Sequence, residues 1–419
     1  MEKTKIGVVG LGGRGFGLTR LIASMEDIEI VAVCDQYEDR VRRAVDGVRE
    51  DAGYEPRGLT DYHDLLNIDE IQGVVIPTSW TDHIKIAIDC MKAGKYSASE
   101  VGGAYTIDDC WSLVHTYEET HVPAMLLENC NYGRDELMVL NMVRQGIFGE
   151  VVHCQGGYRH DLRLGLAHNR EPEREMRHYR QGEYMHRNCD NYPTHDLGPI
   201  AKICGINRGN RMLSLVSMAS KGIGEHAWLQ EHRPDSPLSS AHFCEGDVVT
   251  TMIRCANGET IVLTHDCTLP RPYSRGGYVQ GVKGVWQEDN HGIYIEGRTP
   301  VDPRSWMHEW EPDKKYMKEY MHPLWREYRE FGLRGGHGGM DYLVLRAFIE
   351  SIQKGVAFPI DVYDAASWMA ITCLSEQSVA MGSMPVPVPD FTDGRWIGRE
   401  KRPGDMYSLD AVYPEAFED

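Results

Sequence analysis

No stretch of this sequence approaches the ~18 consecutive apolar residues that a membrane span needs, and no membrane partner is expected. Its 11 cysteines contain no C-x-x-C pair, which leaves neither a paired-cysteine zinc site nor a redox disulfide, and they read as buried free thiols. Basic charge is short as well. The 44 Lys+Arg against 63 Asp+Glu give a formal net charge of −19, a field that repels phosphate backbones and anionic lipid. Nucleic acid is therefore not an expected partner, although net charge says little about one small anion in one cleft. Internal repeats and low-complexity tracts are missing. So is a basic leader with an apolar segment ahead of the first apolar strand, which makes the cytoplasm the expected location. What is present is 419 residues, 42% hydrophobic and 26% charged, the composition of a globular protein long enough for two cores.

Short apolar, β-branched runs alternate with helical stretches in the first part of the chain, the pattern of a parallel sheet covered on both faces. Strands are expected at 5–9, 29–34, 73–76, 95–97 and 123–127, and helices at 15–25, 38–50, 81–93 and 107–120. Beyond Glu128 the rhythm changes to a helix near 133–145 and then to longer alternating segments at 150–160, 211–217, 247–255, 260–267 and 292–296. Those segments read as antiparallel strands of an α+β unit, closed by helices near 339–354 and 362–381. The expected division is a doubly wound Rossmann domain over 1–128, an α+β substrate and oligomerisation domain over 129–384, and a tail over 385–419 that wraps the surface. Two polar stretches, 163–191 and 298–335, lack periodicity and read as active-site loops or interface arms.

Gly10-Leu11-Gly12-Gly13-Arg14-Gly15 satisfies G-x-G-x-x-G. At this glycine content chance alone supplies roughly 0.4 such matches, so the context decides. The motif directly follows an apolar strand and opens a helix, where the glycines permit the turn, the approach of a pyrophosphate and helix–sheet packing. Asp35 ends the second strand at the spacing of a carboxylate that accepts from ribose hydroxyls and repels a 2′-phosphate, which favours NAD over NADP.

Val74 to His83, followed by Ala93-Gly94-Lys95-Tyr96 and Glu100, resembles the glucose–fructose oxidoreductase/inositol dehydrogenase/MocA family. That resemblance implies a Rossmann domain joined to a domain with an open, mainly antiparallel sheet. It also implies a homo-oligomer paired through that sheet. The family's Glu-Lys-Pro hallmark, whose Lys assists proton removal, stands here as Glu100-Val101-Gly102, and the Asp four residues before its catalytic His stands here as Asn191 before His195. The variant set resembles one branch. Leu127 to Arg134, Asn141 to Gly146, Tyr192-Pro193-Thr194-His195 and Gly336-His337-Gly338-Gly339-Met340-Asp341 look like the NAD-dependent glycoside hydrolases of family 109, whose type activity is α-N-acetylgalactosaminidase. Asp196 departs from the branch, which usually carries Gly there.

The resemblance implies a glycosidase that works by transient oxidation of sugar C3, loss of the C2 proton with expulsion of the C1 substituent, water addition and re-reduction, with NAD retained. It places Gly10, Gly12, Gly13, Arg14, Gly15, Asp35, Trp80, His83, Glu100, Val101 and Asn129 around NAD. It places Tyr158, His160, Arg180, Tyr192, Pro193, Thr194, His195 and Tyr273 around a carbohydrate substrate. His195 and His160, with Tyr192 and Tyr158, are the expected catalytic groups, because imidazole titrates nearest neutrality. Glu128 reads as a base or, preferably, an anchor of the cofactor loop, and His337 as a tight turn or a site residue. No metal is expected, since the spacings of His153, His160, His168, His178 and His186 fit no zinc template. The alternatives are a net sugar or cyclitol oxidoreductase and a non-catalytic NAD-binding regulator.

Overall fold

Six strands form the first sheet: β1 (Thr4–Val9), β2 (Ile28–Cys34), β3 (Arg57–Leu59), β4 (Gly73–Ile76), β5 (Tyr96–Ser99) and β6 (Ala124–Leu126). Their order is β3-β2-β1-β4-β5-β6 and every pairing is parallel. The central strands β1, β2 and β4 are nearly continuous runs of Val and Ile, as expected of strands covered on both faces by helices such as Gly13–Ala23, Glu38–Ala52 and Trp80–Lys92. The computed structural model describes residues 3–166, 178–331, 335–399, 402 and 406–410. Among those residues, no helix is long and apolar enough to cross a membrane.

The second sheet has nine strands in the order β14-β13-β12-β11-β7-β10-β9-β8-β15. They are β7 (Val151–Arg159), β8 (Met212–Ala219), β9 (Val248–Cys255), β10 (Thr260–Asp266), β11 (Tyr278–Gly281), β12 (Gly284–Gln287), β13 (Gly292–Ile295), β14 (Glu311–Pro312) and β15 (Val386–Pro387). Every pairing is antiparallel except β7 with β10, whose parallel register sets Tyr158 opposite His265. The helix Val362–Ala380 is apolar on most of its circumference because it is packed from both sides. It contacts the helix Ile107–Thr120 of the first sheet's layer and β8 of the second. Asp361 caps it, accepting from the N–H groups of Tyr363 and Asp364.

The expectation of long irregular segments is corrected on several points. Short helices occupy Arg163–Leu166, Tyr179–His186, Lys314–Tyr320 and Pro323–Phe331. The first three span too few turns for an apolar stripe to stand out from polar neighbours, whereas Pro323–Phe331 carries one in Leu324, Trp325 and Tyr328, all buried. His168 lies outside the described residues. All 11 cysteines are free, but Cys244 is exposed and Cys373 half-buried, while the others are buried as expected.

One buried carboxylate makes stability depend on pH. Glu225 is 2% exposed, neither of its oxygens has a hydrogen-bond partner among the described residues, and burial pushes its carboxyl up to about 8 against the pull of Arg163. The unfolded value is about 4.3, so the folded chain holds a proton that the unfolded chain releases. That contribution is full below about pH 4 and is lost as pH rises towards 8. Glu225→Gln is expected to raise Tm by about 2–4 °C at pH 8, with the gain shrinking towards pH 5. A gain independent of pH in thermal melts would contradict this assignment.

Candidate active site

Between β1 and β4 the strand order reverses direction, which opens a crevice at the carboxyl ends of both strands. Gly10 follows β1 with φ +103°, and a Cβ there would lie 2.7 Å from the Thr78 backbone nitrogen. At Gly15 a Cβ would collide with the Gly10 carbonyl oxygen. Gly12 and Gly13 instead face open space: a Cβ at Gly13 would meet nothing within 4 Å, and one at Gly12 only the Arg40 guanidinium at 3.8 Å. The outer glycines thus close the turn, and the inner pair leaves a cradle at a helix N-terminus that a pyrophosphate fits. Asp35 braces the cradle, accepting from Leu11 N at 2.7 Å and Tyr37 N at 3.0 Å beside Arg40 Nη1 at 3.4 Å. These residues fit NAD.

Arg14 turns away from the phosphate position and joins the two halves of the chain. Its guanidinium donates to Glu100 Oε1 at 2.8 Å and to Asp341 Oδ2 at 2.5 Å. Asp341 also accepts from Asn129 Nδ2 at 2.7 Å and bonds His337 Nδ1 at 2.9 Å. Hydrogen bonds from His337 and Arg14 hold the Asp341 carboxyl well below the usual carboxylate range despite burial.

The same cleft, about 900 Å³ in volume, continues from the glycine cradle to Tyr158, Arg180, Tyr192 and His195. β7 supplies Tyr158, and the helix Thr194–Ile203, lying on β7, supplies His195. That helix packs closely because Gly156 leaves room for Asp196, whose carboxylate a Cβ at residue 156 would strike. Tyr158 and Tyr192 have ring centroids 4.6 Å apart, and His195 lies 5.3 Å from the first and 4.8 Å from the second. Arg180 is stacked on this group, its guanidinium carbon 4.7 Å from the Tyr192 ring centre, 5.0 Å from Trp80 and 5.5 Å from Tyr158. Its Nη1 is buried without a hydrogen-bond partner among the described residues.

Two histidines at this cleft are each oriented by a buried carboxylate. His195 Nδ1 lies 3.0 Å from Glu128 Oε1, which leaves Nε2 as the ring nitrogen available to a ligand. Glu128 is fully buried and also accepts from Cys130 N at 3.1 Å, so it anchors its loop and orients His195 at once. His337 repeats the arrangement with Asp341, but its side chain is 49% exposed and sits at the rim. A third pair is Tyr158 Oη with His160 Nδ1 at 2.9 Å. Burial and the neighbouring Arg180 lower the His160 pKa. Burial raises the Tyr158 hydroxyl and Arg180 opposes it.

The structure brings Gly10, Gly12, Gly13, Arg14, Gly15, Asp35, Glu100, Val101 and Asn129 to the cleft wall, together with Tyr158, Arg180, Tyr192 and His195. Trp80 stands behind the wall, stacked on Tyr192 and Arg180, and Gly102 admits its indole. His83 is 1% exposed, bonded through Nε2 to Thr78 O, and held by burial at about 4. Pro193 and Thr194 are buried at the start of the His195 helix. Tyr273 lies at the edge, its ring 5.0 Å from His160. Asn191 is buried beneath Tyr192 and donates to Glu245 Oε2 at 2.7 Å, tying the turn to the second sheet. Sequence reasoning singled out Glu128 but missed its pairing with His195, and it missed Asp341 as the partner of His337. Both lie inside the blocks that carry the resemblance, Leu127 to Arg134 and Gly336 to Asp341, and that was the available signal.

Residues 4–127 match the family described as "Oxidoreductase family, NAD-binding Rossmann fold", and residues 132–398 match "Glycosyl hydrolase 109, C-terminal domain". A glycosyl hydrolase family 109 protein of Stenotrophomonas maltophilia (strain K279a) is 40% identical over 434 residues, which covers 98% of this chain and 93% of the relative. An alpha-N-acetylgalactosaminidase of Tannerella forsythia is 38% identical, covering 94% of this chain and 88% of the relative. Among solved structures, a levoglucosan dehydrogenase in complex with NADH and L-sorbose superposes with a TM-score of 0.68 at 17% identity, covering 93% of this chain and 100% of the other. A myo-inositol 2-dehydrogenase from Lactobacillus plantarum gives 0.62 at 13% identity, covering 93% and 100%. These two likenesses are of fold.

Proposed function

The chain belongs to glycosyl hydrolase family 109, and on that premise we propose that it cleaves a glycosidic bond by transient oxidation of the sugar, with NAD retained between turnovers. The observation that carries this reading is the joint cleft. The glycine cradle runs directly into Tyr158, Tyr192 and His195, and the position at which a net dehydrogenase of this fold carries a lysine is the buried, non-ionisable Val101. When bound, the nicotinamide supplies a reversible hydride sink, so that a transient ketone at sugar C3 acidifies the C2 proton and permits elimination across C1–C2.

The chain's own residues then move protons at separate atoms. His195 takes the C3 hydroxyl proton through Nε2, and Glu128 stabilises the imidazolium that forms. Tyr158 takes the C2 proton as its own hydroxyl proton passes to His160 Nδ1, and the Arg180 cation stabilises the phenolate character that develops. His337 stands at the rim, where the departing group meets solvent, and protonates the glycosidic oxygen with Asp341 holding its other nitrogen. Arg180 Nη1, without an acceptor among the described residues, bonds a sugar oxygen, and Tyr192 and Tyr273 supply apolar faces and hydroxyls to the ring.

The test uses the protein as purified, without added NAD+, and aryl glycosides of several sugars in both anomeric forms. It begins with the α-N-acetylgalactosaminide suggested by the Tannerella relative's name. Aglycone release with no accumulation of NADH is expected. NADH formed in proportion to product would instead mark a net oxidoreductase, and NAD binding without either activity a regulator.

A further inference from the structure

Three side chains distant in sequence and absent from the cleft wall converge elsewhere in the fold. Asp135 opens the helix Arg134–Arg144, His291 lies in the turn between β12 and β13, and Asp313 precedes the helix Lys314–Tyr320. Their potential ligand atoms all lie within 4.8 Å of one another. His291 reaches this position with a left-handed φ of +48°, a conformation sparsely used by residues with a Cβ. Its Nδ1 is 3.7 Å from Asp313 Oδ2. That is too long for a hydrogen bond, yet close to the ~3.3 Å that separates two ligands of a tetrahedral ion with bonds of about 2.0–2.1 Å.

Asp313 is the independent pointer to an ion. Its side chain is 3% exposed, and Oδ2, the atom facing His291, has no partner in hydrogen-bonding geometry among the described residues, the nearby Trp286 indole N–H being likewise unpaired. Arg134 donates from Nε to Asp135 Oδ1 at 2.9 Å and makes no ion pair with Asp313. Two carboxylates thus share a small volume with an imidazole as third neighbour; Arg134 is paired with Asp135, and the buried Asp313 Oδ2 is left without an ion pair shorter than the 3.7 Å to His291 among the described residues. Buried charge of that kind is satisfied by pairing or by a metal.

We propose that Asp135, His291 and Asp313 bind a divalent cation, Zn2+ in preference to Ca2+ or Mg2+ because one ligand is imidazole, with water completing the coordination. The site is structural. It fastens the end of the 298–312 segment, where β14 pairs with β13 and Asp313 N donates to His291 O at 2.9 Å. Through Asp135 it also fixes the helix that continues from the Asn129–Tyr132 turn at the cleft.

The test is calorimetric titration of Zn2+ into chelator-treated, NAD-loaded full chain, with thermal melts and a Co2+ absorption spectrum alongside. One Zn2+ per chain is expected, with Tm raised by about 2–4 °C at saturation. His291→Gln, at a side chain 66% exposed, should fold normally, keep the metal-free activity and bind Zn2+ at least about 10-fold more weakly. Asp313→Asn should do the same, and if it fails to fold, His291→Gln decides. Wild-type protein that takes up no Zn2+ would overturn the proposal, as would undiminished binding by His291→Gln. A thiolate-to-cobalt charge-transfer band would also overturn it, because it would move the ion to Glu128, Cys130 and His195, the other ligand group among the described residues.

Discussion

His195→Ala is expected to lower turnover by roughly 10²–10⁴-fold while the purified protein keeps its NAD. The prediction rests on the division of labour within the cleft. His195 is tied to Glu128 and surrounded by Tyr158 and Tyr192, and its hydrogen bond and ring contacts lie with these residues rather than with the glycine cradle. Loss of the imidazole therefore removes a proton carrier and leaves the cofactor's fastening intact. Glu128→Gln should fall between wild type and His195→Ala, since the amide still occupies the space but no longer stabilises an imidazolium. Steady-state kinetics with an aryl glycoside, paired with the NAD content of the same preparation, measures both halves. Turnover near wild type in His195→Ala would remove this residue from the chemistry, and loss of NAD would show that it holds the cofactor instead.

Asp341→Ala should have the opposite profile. Asp341 is 2% exposed and bonds Arg14, Asn129 and His337 together, so its removal strips a shared partner from two parts of the cofactor site and from the rim histidine. Removing one member of a buried ionic group costs about 3–5 kcal/mol. The lower end applies here because Arg14 keeps Glu100 and is one-third exposed. Denaturant melts should show that loss, and the protein should emerge from purification depleted of NAD. The carboxyl is held low in the folded chain, so its contribution is complete at neutral pH and disappears only as pH falls below about 4. The difference in stability between wild type and variant should therefore persist from pH 6 to pH 8. Full NAD occupancy in Asp341→Ala would show that the bridge between the two halves is not what retains the cofactor.

The Rossmann half was legible because its signals are local. Five apolar runs at regular spacing, a glycine motif at the end of the first and Asp35 at the end of the second specify the cradle and five of the six strands; β3, the three residues Arg57–Leu59 at the sheet edge, has no apolar run to reveal it. The second half was legible as a class, but its decisive pairings were not. The helix carrying His195 shows no amphipathic stripe, because all ten of its residues are buried, and Pro199 inside it argues against a helix on sequence alone. Glu128 and His195 are 67 residues apart, and Asn129 and Asp341 are 212 apart, so no spacing rule could join them. Asn191 and Asp196 were visible as departures from the pattern, and only packing explains them. Asn191 braces a turn on Glu245, and Asp196 fills the space that Gly156 leaves open.

The central claim is that oxidation is transient and internal to the site. The most direct measurement is hydrolysis in D2O, in the absence of added NAD+, with the sugar product analysed by NMR. The account predicts deuterium at C2 of the released sugar, C3 hydrogen retained from the substrate, and no net NADH. Product that carries its original hydrogen at C2, formed at the full rate of hydrolysis, would contradict it.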